Sequence, residues 1–199
     1  MTRPIILASG SEARCRMLAN IGLDFEQIKP RVDEETIKDS LLSEGLPPRD
    51  IADALAEAKA RRVSAKEPQA LVIGSDQVLE FDGRLLSKPF TPGDAVDQLK
   101  ELSAKSHKLL SAAVLFEDGR PVWRHISEAR LTMRKLSDGY IDEYVARNWD
   151  SIRHSVGGYK IEEEGGRLFV RVDGTAFTIM GLPLFELVSY LSLRGYLTT

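Results

Sequence analysis

Residues 4–18 read PIILASGSEARCRML, and this stretch decides the fold class. The apolar run from Pro4 to Ala8 is typical of a buried strand, and small hydroxyl and glycine residues end it. Ser11 is a good N-cap, and the apolar positions behind it predict a helix that stops before Gly22. A buried strand that passes directly into a helix indicates an α/β protein.

The rest of the chain repeats this interleaving of strands and helices. The segment ALVIGSDQVLEF, residues 70–81, is the most strand-like, and an Asp-Gly pair at 118–119 predicts a hairpin between two further strands. Residues 31–43 are rich in charged side chains and show no clear apolar period, so they are interpreted as a loop or a ragged turn of helix. We therefore predict an α/β fold with a mixed sheet. The other predicted elements are strands at 25–28, 108–116, 122–133 and 167–172, and helices after Pro48, after Thr91, from Ser137 to about Arg147 and after Pro183.

Composition narrows the class of protein. The 199 residues include 43% hydrophobic and 29% charged side chains, which is ordinary for a globular chain long enough to bury a core. A formal net charge of −3 argues against the broad basic surface of a nucleic-acid binder. The single cysteine excludes an intrachain disulfide. No apolar run reaches membrane length and the first residues lack a signal-peptide pattern, so we expect a cytoplasmic protein that binds no membrane.

The turn after the first strand is suited to binding phosphate. At a helix N-terminus, unpaired backbone N–H groups and the positive end of the helix dipole both favour an anion. Ser9 and Ser11 add hydroxyl donors, and the guanidinium of Arg14 can fork onto phosphate oxygens. Such turns are common, and the alternative is that Arg14 lies on a solvated helix face.

Charged residues further along the chain strengthen the phosphate hypothesis. Asp76 follows core strand residues, where a carboxylate must be paired, bound to metal or used in chemistry, unless it only caps a turn. The acidic run 33–35 and the cations Lys59 and Lys88 fit either a phosphate site or a solvated surface. The three histidines are scattered, and no Ser-His-Asp, HExxH or P-loop motif is found. Oxygen ligands and cations remain, and these suit Mg²⁺-assisted chemistry on polyphosphate.

Seven short motifs follow one another along nearly the whole chain. LASGSEAR at 7–14 comes first, then VDEE at 32–35, LAEAKA at 55–60, GSDQV at 74–78, KP at 88–89, GGYKIEEEG at 157–165 and GLPL at 181–184. In this order they resemble the Maf family of nucleoside triphosphate pyrophosphatases. LASGSEAR in particular looks like the family's Leu-Ala-Ser-x-Ser-Pro-x-Arg signature.

The resemblance implies a fold and an activity. The fold would be an elongated mixed sheet with flanking helices, a single Maf-like domain over residues 1–199 whose two lobes enclose a deep cleft, similar to the inosine-triphosphatase (Ham1) architecture. The activity would be hydrolysis of a nucleoside triphosphate between its α and β phosphates, with Mg²⁺ or Mn²⁺, as house-cleaning of non-standard nucleotides. A homodimer is implied by analogy alone.

Carried over residue by residue, the resemblance also assigns a site. Asp76 matches the family's proton acceptor, and Glu34, Lys59 and Lys88 match other catalytic positions. Asp76 and Glu34 are the expected metal ligands. The phosphate-binding residues would be Ser9, Ser11 and Arg14.

Three positions distinguish branches of the family by the base they accept. They are Ala13, Gln77 and Glu162 here, where the dTTP/UTP branch has Arg, Thr and Gln, and the 7-methyl-GTP branch has Trp, Gln and Glu. A carboxylate can accept from both N1–H and the N2 amino group of guanine, so Glu162 favours the latter branch. Ala13 offers no ring to stack on a cationic base. Glu162 could instead be one solvated member of the run 162–164.

Two other functions stay open at this point. Glu12 stands where the family has proline, and a carboxylate beside a phosphate site favours a non-catalytic nucleotide-binding regulator, which the resemblance would link to septum formation and cell division. The second is an enzyme that releases orthophosphate from the γ position. Identifying the products separates these possibilities.

Overall fold

Strands and helices alternate along the chain, as the computed structural model shows for residues 3–198. The strands are β1 (Ile5–Ala8), β2 (Glu26–Gln27), β3 (Leu71–Phe81), β4 (Arg84–Leu86), β5 (Ser106–Glu117), β6 (Arg120–Met133) and β7 (Phe169–Asp173). The α-helices are α1 (Glu12–Asn20), α2 (Glu34–Ser43), α3 (Pro48–Ser64), α4 (Pro92–Leu102), α5 (Asp138–Ile152), α6 (Ala176–Ile179) and α7 (Leu184–Leu193).

The strands form a mixed sheet in the order β2-β1-β3-β5-β6-β7, and β4 pairs with β3 off this path. β1 runs parallel to both β2 and β3, whereas the β3–β4 and β6–β7 pairs are antiparallel. The predicted α/β fold with a mixed sheet is confirmed. The register places Ala8 opposite Gly74, so the polar turn after β1 begins beside the polar residues in the middle of β3.

The chain packs into two compact units. The first unit is drawn from Met1–Gln77, Leu110–Ser127 and Gly181–Thr199, and the second from Val78–Leu109 and Glu128–Met180. In the first unit, α3 buries its apolar face, including Ile51 and Leu55, as the spacing of these residues predicted. No helix within residues 3–198 is both long enough and apolar enough to cross a bilayer. That the chain is one domain whose two lobes enclose a cleft stays a prediction.

The prediction of a loop or a ragged turn at residues 31–43 was wrong, because α2 forms there. The helix buries none of its residues, and its three apolar residues, Ile37, Leu41 and Leu42, are too few to give a clear stripe. Its start is set by capping instead. The Asp33 carboxylate accepts hydrogen bonds from the backbone N–H of Thr36 at 3.1 Å and from its hydroxyl at 2.9 Å. These two bonds also lower the pKa of Asp33.

The structure also extends one predicted helix and contains one helix that was not predicted. α5 continues past Arg147 to Ile152, which is buried and extends the apolar face of the helix by more than one turn. The short helix α6 was missed. Thr175 caps it by accepting from the backbone N–H of Thr178, and a single turn of this kind carries no periodic pattern.

The core of the second unit contains a buried histidine, His107. Its Nε2 lies 2.6 Å from the hydroxyl of Tyr159, and its ring packs against Phe169 with the centroids 6.0 Å apart. Nδ1 is buried and has no hydrogen-bond partner among the described residues. Burial lowers the pKa of His107 from 6.5 to about 4, so the imidazole is neutral at pH 7.

This neutral histidine makes the stability of the fold depend on pH. Between pH 6.5 and 4 the unfolded chain binds a proton at His107 that the folded chain does not. The contribution of the neutral His107 to stability is therefore complete above pH 6.5 and falls as the pH is lowered towards 4. From pH 7 to pH 5 we expect the wild-type protein to lose about 2 kcal/mol more than the variant His107→Gln. Urea unfolding of both proteins at the two pH values measures this difference. His154→Gln, at an exposed histidine of the same unit, should lose as much stability as the wild type.

Candidate active site

The turn between β1 and α1 is held together by its own hydroxyl groups. Ser9 is buried, and its Oγ accepts a hydrogen bond from the backbone N–H of Ser11 at 3.2 Å. Ser11 caps α1 as predicted, because its Oγ accepts from the backbone N–H of Arg14 at 3.4 Å. Glu12, in the first turn of the helix, is exposed. The helix N-terminus therefore offers backbone N–H groups beside two ordered hydroxyls, an arrangement that favours an anion.

Arg14 is buried, so it does not lie on a solvated helix face. Its Nε donates to the carbonyl oxygen of Gly181 at 2.7 Å, and its Nη1 donates to Ser9 Oγ at 3.3 Å. Burial lowers the pKa of Arg14, while the charges of Asp76 and Glu34 act in the opposite direction. The guanidinium thus lies within electrostatic reach of both predicted acidic residues.

Lys59 brings these two acidic residues together. Its Nζ lies 2.5 Å from Oδ1 of Asp76 and 2.9 Å from Oε2 of Glu34. The side chains of Lys59 and Asp76 are only 7% and 9% exposed, whereas that of Glu34 is 44% exposed. Two buried partners and one half-open partner therefore form a single ion-pair cluster from α3, β3 and α2.

The close packing of α3 on β3 explains why this cluster forms. A Cβ at Gly74 would lie 2.2 Å from the carbonyl oxygen of Ala56, so only glycine lets the helix approach the strand here. Asp76 follows two residues later on the same face of the strand, and Lys59 lies three residues after Ala56 on the helix. The short distance between helix and strand therefore sets the short distance between ammonium and carboxylate.

The donors of this cluster fit a divalent cation in one specific way. Among residues 3–198 no group of three or more His, Cys, Asp or Glu side chains is placed to hold a metal ion. Mg²⁺, however, is commonly bound through one or two carboxylates together with substrate phosphates and water. Lys59 uses one oxygen each of Asp76 and Glu34, and each carboxylate has a second oxygen. The pair therefore suits a cation that arrives with a polyphosphate.

The three predicted specificity residues are split between the two units. In the first unit, Ala13 and Gln77 are half-buried, and Nε2 of Gln77 donates to the buried hydroxyl of Ser111 at 3.0 Å. In the second unit, Glu162 is exposed. Its neighbours Glu163 and Glu164 are engaged within that unit, by Lys160 and Ser151 and by Arg147 and Asn148 respectively. Lys88 is exposed after β4 in the same unit.

The structure thus gathers Ser9, Ser11, Arg14, Glu34, Lys59 and Asp76 in the first unit, and it places Lys88 and Glu162 in the second. Sequence reasoning missed two contributors, Ser75 and the carbonyl group of Gly181. Ser75 is fully buried on β3, and its hydroxyl donates to the same carbonyl oxygen at 3.1 Å. The signal that could have identified Ser75 is a hydroxyl side chain within an apolar strand. No sequence signal indicates that the carbonyl group of Gly181 contacts Arg14.

Comparison with known proteins assigns the family. The model of the family described as "Maf-like protein" matches residues 4–193. A protein of Ruegeria pomeroyi named nucleoside triphosphate pyrophosphatase is 59% identical over 199 residues, which is all of both chains. Proteins of the same name from Roseobacter denitrificans and Caulobacter vibrioides are 58% and 48% identical over 195 residues, 98% of each chain. The chain belongs to the Maf-like protein family.

Proposed function

We propose that this protein is a nucleoside triphosphate pyrophosphatase. It hydrolyses its substrate between the α and β phosphates and releases a nucleoside monophosphate and pyrophosphate. The observation that supports this most is the cluster in which Lys59 joins Asp76 and Glu34, with the buried cation Arg14 within electrostatic reach. The shared name of relatives that match the chain over nearly its full length supports the same activity.

In the proposed reaction Asp76 is the proton acceptor. A water molecule attacks the α-phosphorus, its oxygen forms the new P–O bond, and its proton passes to the carboxylate of Asp76. The bond from the α-phosphorus to the bridging oxygen breaks, and pyrophosphate leaves with that electron pair. Lys59 Nζ lies 2.5 Å from Oδ1 of Asp76, and this contact orients the carboxylate before the substrate arrives.

Cations and backbone dipoles stabilise the leaving pyrophosphate. Arg14 and the N–H groups at the start of α1 supply donors on one side, and Ser9 and Ser11 fix the turn that carries them. We also propose Lys88, on the resemblance of its Lys-Pro motif, as a cation for the pyrophosphate. A divalent cation, Mg²⁺ or Mn²⁺, held by Asp76 and Glu34, would supply further positive charge for the phosphates.

We propose guanine nucleotides, methylated or not, as the preferred substrates. Glu162 would accept from N1–H and the N2 amino group, and a site built for these donors rejects uracil and thymine, which lack them. Ala13 offers no ring for a cationic base, and Trp123 stacks on Tyr190 with the centroids 5.4 Å apart. We therefore propose no preference for the methylated base over GTP.

A panel of triphosphates tests both the reaction and the base. With Mg²⁺ or Mn²⁺ we expect GTP and 7-methyl-GTP to give monophosphate and pyrophosphate at a kcat/KM at least about tenfold above dTTP and UTP. A chelator should abolish turnover. Glu162→Gln should reduce the preference, whereas Glu163→Gln, one position along, should retain it. Orthophosphate as the first product would overturn the bond assignment, and a preference for dTTP would overturn the role of Glu162.

The alternative of a non-catalytic nucleotide-binding regulator linked to cell division rests on Glu12. In the structure this side chain is exposed on the first turn of α1. A carboxylate that is open to solvent is screened and interferes less with a bound phosphate than a buried one. Absence of pyrophosphate from every triphosphate in the panel would favour the regulator. The homodimer and the cytoplasmic location stay predictions.

A further inference from the structure

We propose that Ser75 and Gly181 are positioning residues that hold Arg14 in place for the triphosphate. Three groups from distant parts of the first unit meet at one point, the carbonyl oxygen of Gly181. Arg14 Nε donates to this oxygen at 2.7 Å, and Ser75 Oγ donates to it at 3.1 Å. A carbonyl oxygen has two lone pairs, so it satisfies both donors. The inference rests on the proposed function, because it assigns Arg14 to the phosphates.

The two contacts of Arg14 fix the plane of its guanidinium. Nε is anchored on Gly181, and Nη1 contacts Ser9 Oγ at 3.3 Å, so the planar group is tied at two points. The guanidinium carries five N–H donors, of which these contacts use two. Ordering an arginine side chain costs rotamer entropy, and here folding has ordered it before any ligand binds. The remaining donors are therefore presented to an anion in a preset direction.

The backbone at position 181 requires glycine for two independent reasons. Its φ of +103° lies in a region that other residues rarely adopt. A Cβ at this position would also lie 3.1 Å from Nη2 and 3.3 Å from Nε of Arg14. A side chain would therefore displace the guanidinium that the carbonyl group holds.

Ser75 fixes the direction of that carbonyl group. The residue is fully buried on β3, where an apolar side chain would pack as well without needing a hydrogen-bond partner. Its hydroxyl finds its partner on Gly181, 106 residues away in sequence. The hydroxyl thus ties the segment before α7 to the strand that carries Asp76, one residue further on. The hydrogen bonds of Ser75 and Gly181 therefore connect the position of Arg14 to the strand that carries Asp76.

A double-mutant cycle with Arg14 tests the proposal. We expect Gly181→Ala to lower kcat/KM and weaken the binding of inorganic pyrophosphate by more than about tenfold, because the added Cβ moves the guanidinium by a few tenths of an ångström and a 1 Å misplacement of such a group costs about 10²-fold. We expect Ser75→Ala to have a smaller effect, about tenfold, because only one of the two anchors of the carbonyl is lost. In an Arg14→Ala background each substitution should change either quantity less than about twofold, because the residue through which they act is gone.

Control variants separate positioning from general loss of structure. Gly195→Ala places a side chain at a φ of +75° with no atom within 4 Å, so it imposes a similar backbone cost in the same unit without touching Arg14. It should leave activity and pyrophosphate binding unchanged. Equal fold-losses from Gly181→Ala with and without Arg14 would overturn the proposal. Calorimetric titration with inorganic pyrophosphate gives this result even if the wild-type protein hydrolyses no triphosphate, so failure of the proposed function would be recognised separately.

Discussion

Asp76→Asn is expected to lower kcat/KM by about 10²–10⁴-fold, the usual contribution of a general base. The substitution removes the proton acceptor, yet the amide oxygen of asparagine can still accept a hydrogen bond from Lys59, 2.5 Å from the carboxylate in the wild-type protein. The cluster therefore keeps its packing, and Glu34 still neutralises the ammonium group. Steady-state release of pyrophosphate from GTP, together with thermal unfolding of the variant, measures both consequences.

Asp53→Asn is the matched control for Asp76→Asn. Asp53 is also a carboxylate in an ion pair of the first unit, but its partner is Arg124. It should lose little activity. Full turnover by a folded Asp76→Asn protein would remove Asp76 from the reaction, whereas an unfolded variant would point to Asp76→Glu as the substitution to measure next.

Lys59→Met is expected to lower the free energy of unfolding by about 3–5 kcal/mol, the typical cost of removing one partner from a buried ion pair. Methionine preserves the apolar stem but leaves the 9% exposed carboxylate of Asp76 without its cation and next to a second carboxylate on Glu34. Loss of activity should accompany the loss of stability because Asp76 is no longer held. Urea unfolding at pH 7 measures the effect.

The same measurement in an Asp76→Asn background isolates the ion pair. In this background residue 76 is a neutral asparagine, so Lys59→Met no longer leaves a buried carboxylate without its cation. The loss of unfolding free energy should therefore be at least about 1 kcal/mol smaller than in the wild-type background. Lys66→Met, at an exposed lysine just beyond the end of α3, should change stability by less than about 0.5 kcal/mol. Equal costs in the two backgrounds would show that the pair contributes only packing.

Strong local patterns carried most of the fold prediction. Three features were each predicted from a short stretch of sequence, and the structure contains all three: the buried strand β1, the Ser11 cap and the long apolar strand β3. α2 was missed because its three apolar residues are too few to give a clear stripe and its start is marked only by the cap at Asp33. The helix that carries Glu34 was therefore predicted as an irregular segment, although the residue itself was identified.

The candidate site was likewise predicted in part. The position of Asp76 after core strand residues singled it out, and the resemblance to the Maf family added Glu34 and Lys59. The structure places both carboxylates within 2.9 Å of the Lys59 ammonium group. The carbonyl oxygen of Gly181 was out of reach, because every residue has one and its partner Arg14 lies 167 positions earlier. Contacts that use backbone atoms across such separations depend on the completed fold, and the glycine at 181 does not by itself identify the partner of its carbonyl group.

The lack of buried residues in α2 has a consequence for how the site comes apart on heating. A helix held by capping and surface contacts belongs to the segments that open at a small fraction of the global unfolding free energy, whereas β1, α3 and β3 are packed in the core of their unit. We therefore expect Glu34 to leave the cluster in local openings that Lys59 and Asp76 do not share. Fraying of this one helix would then withdraw and restore one of the two candidate metal-binding carboxylates while the rest of the unit stays folded.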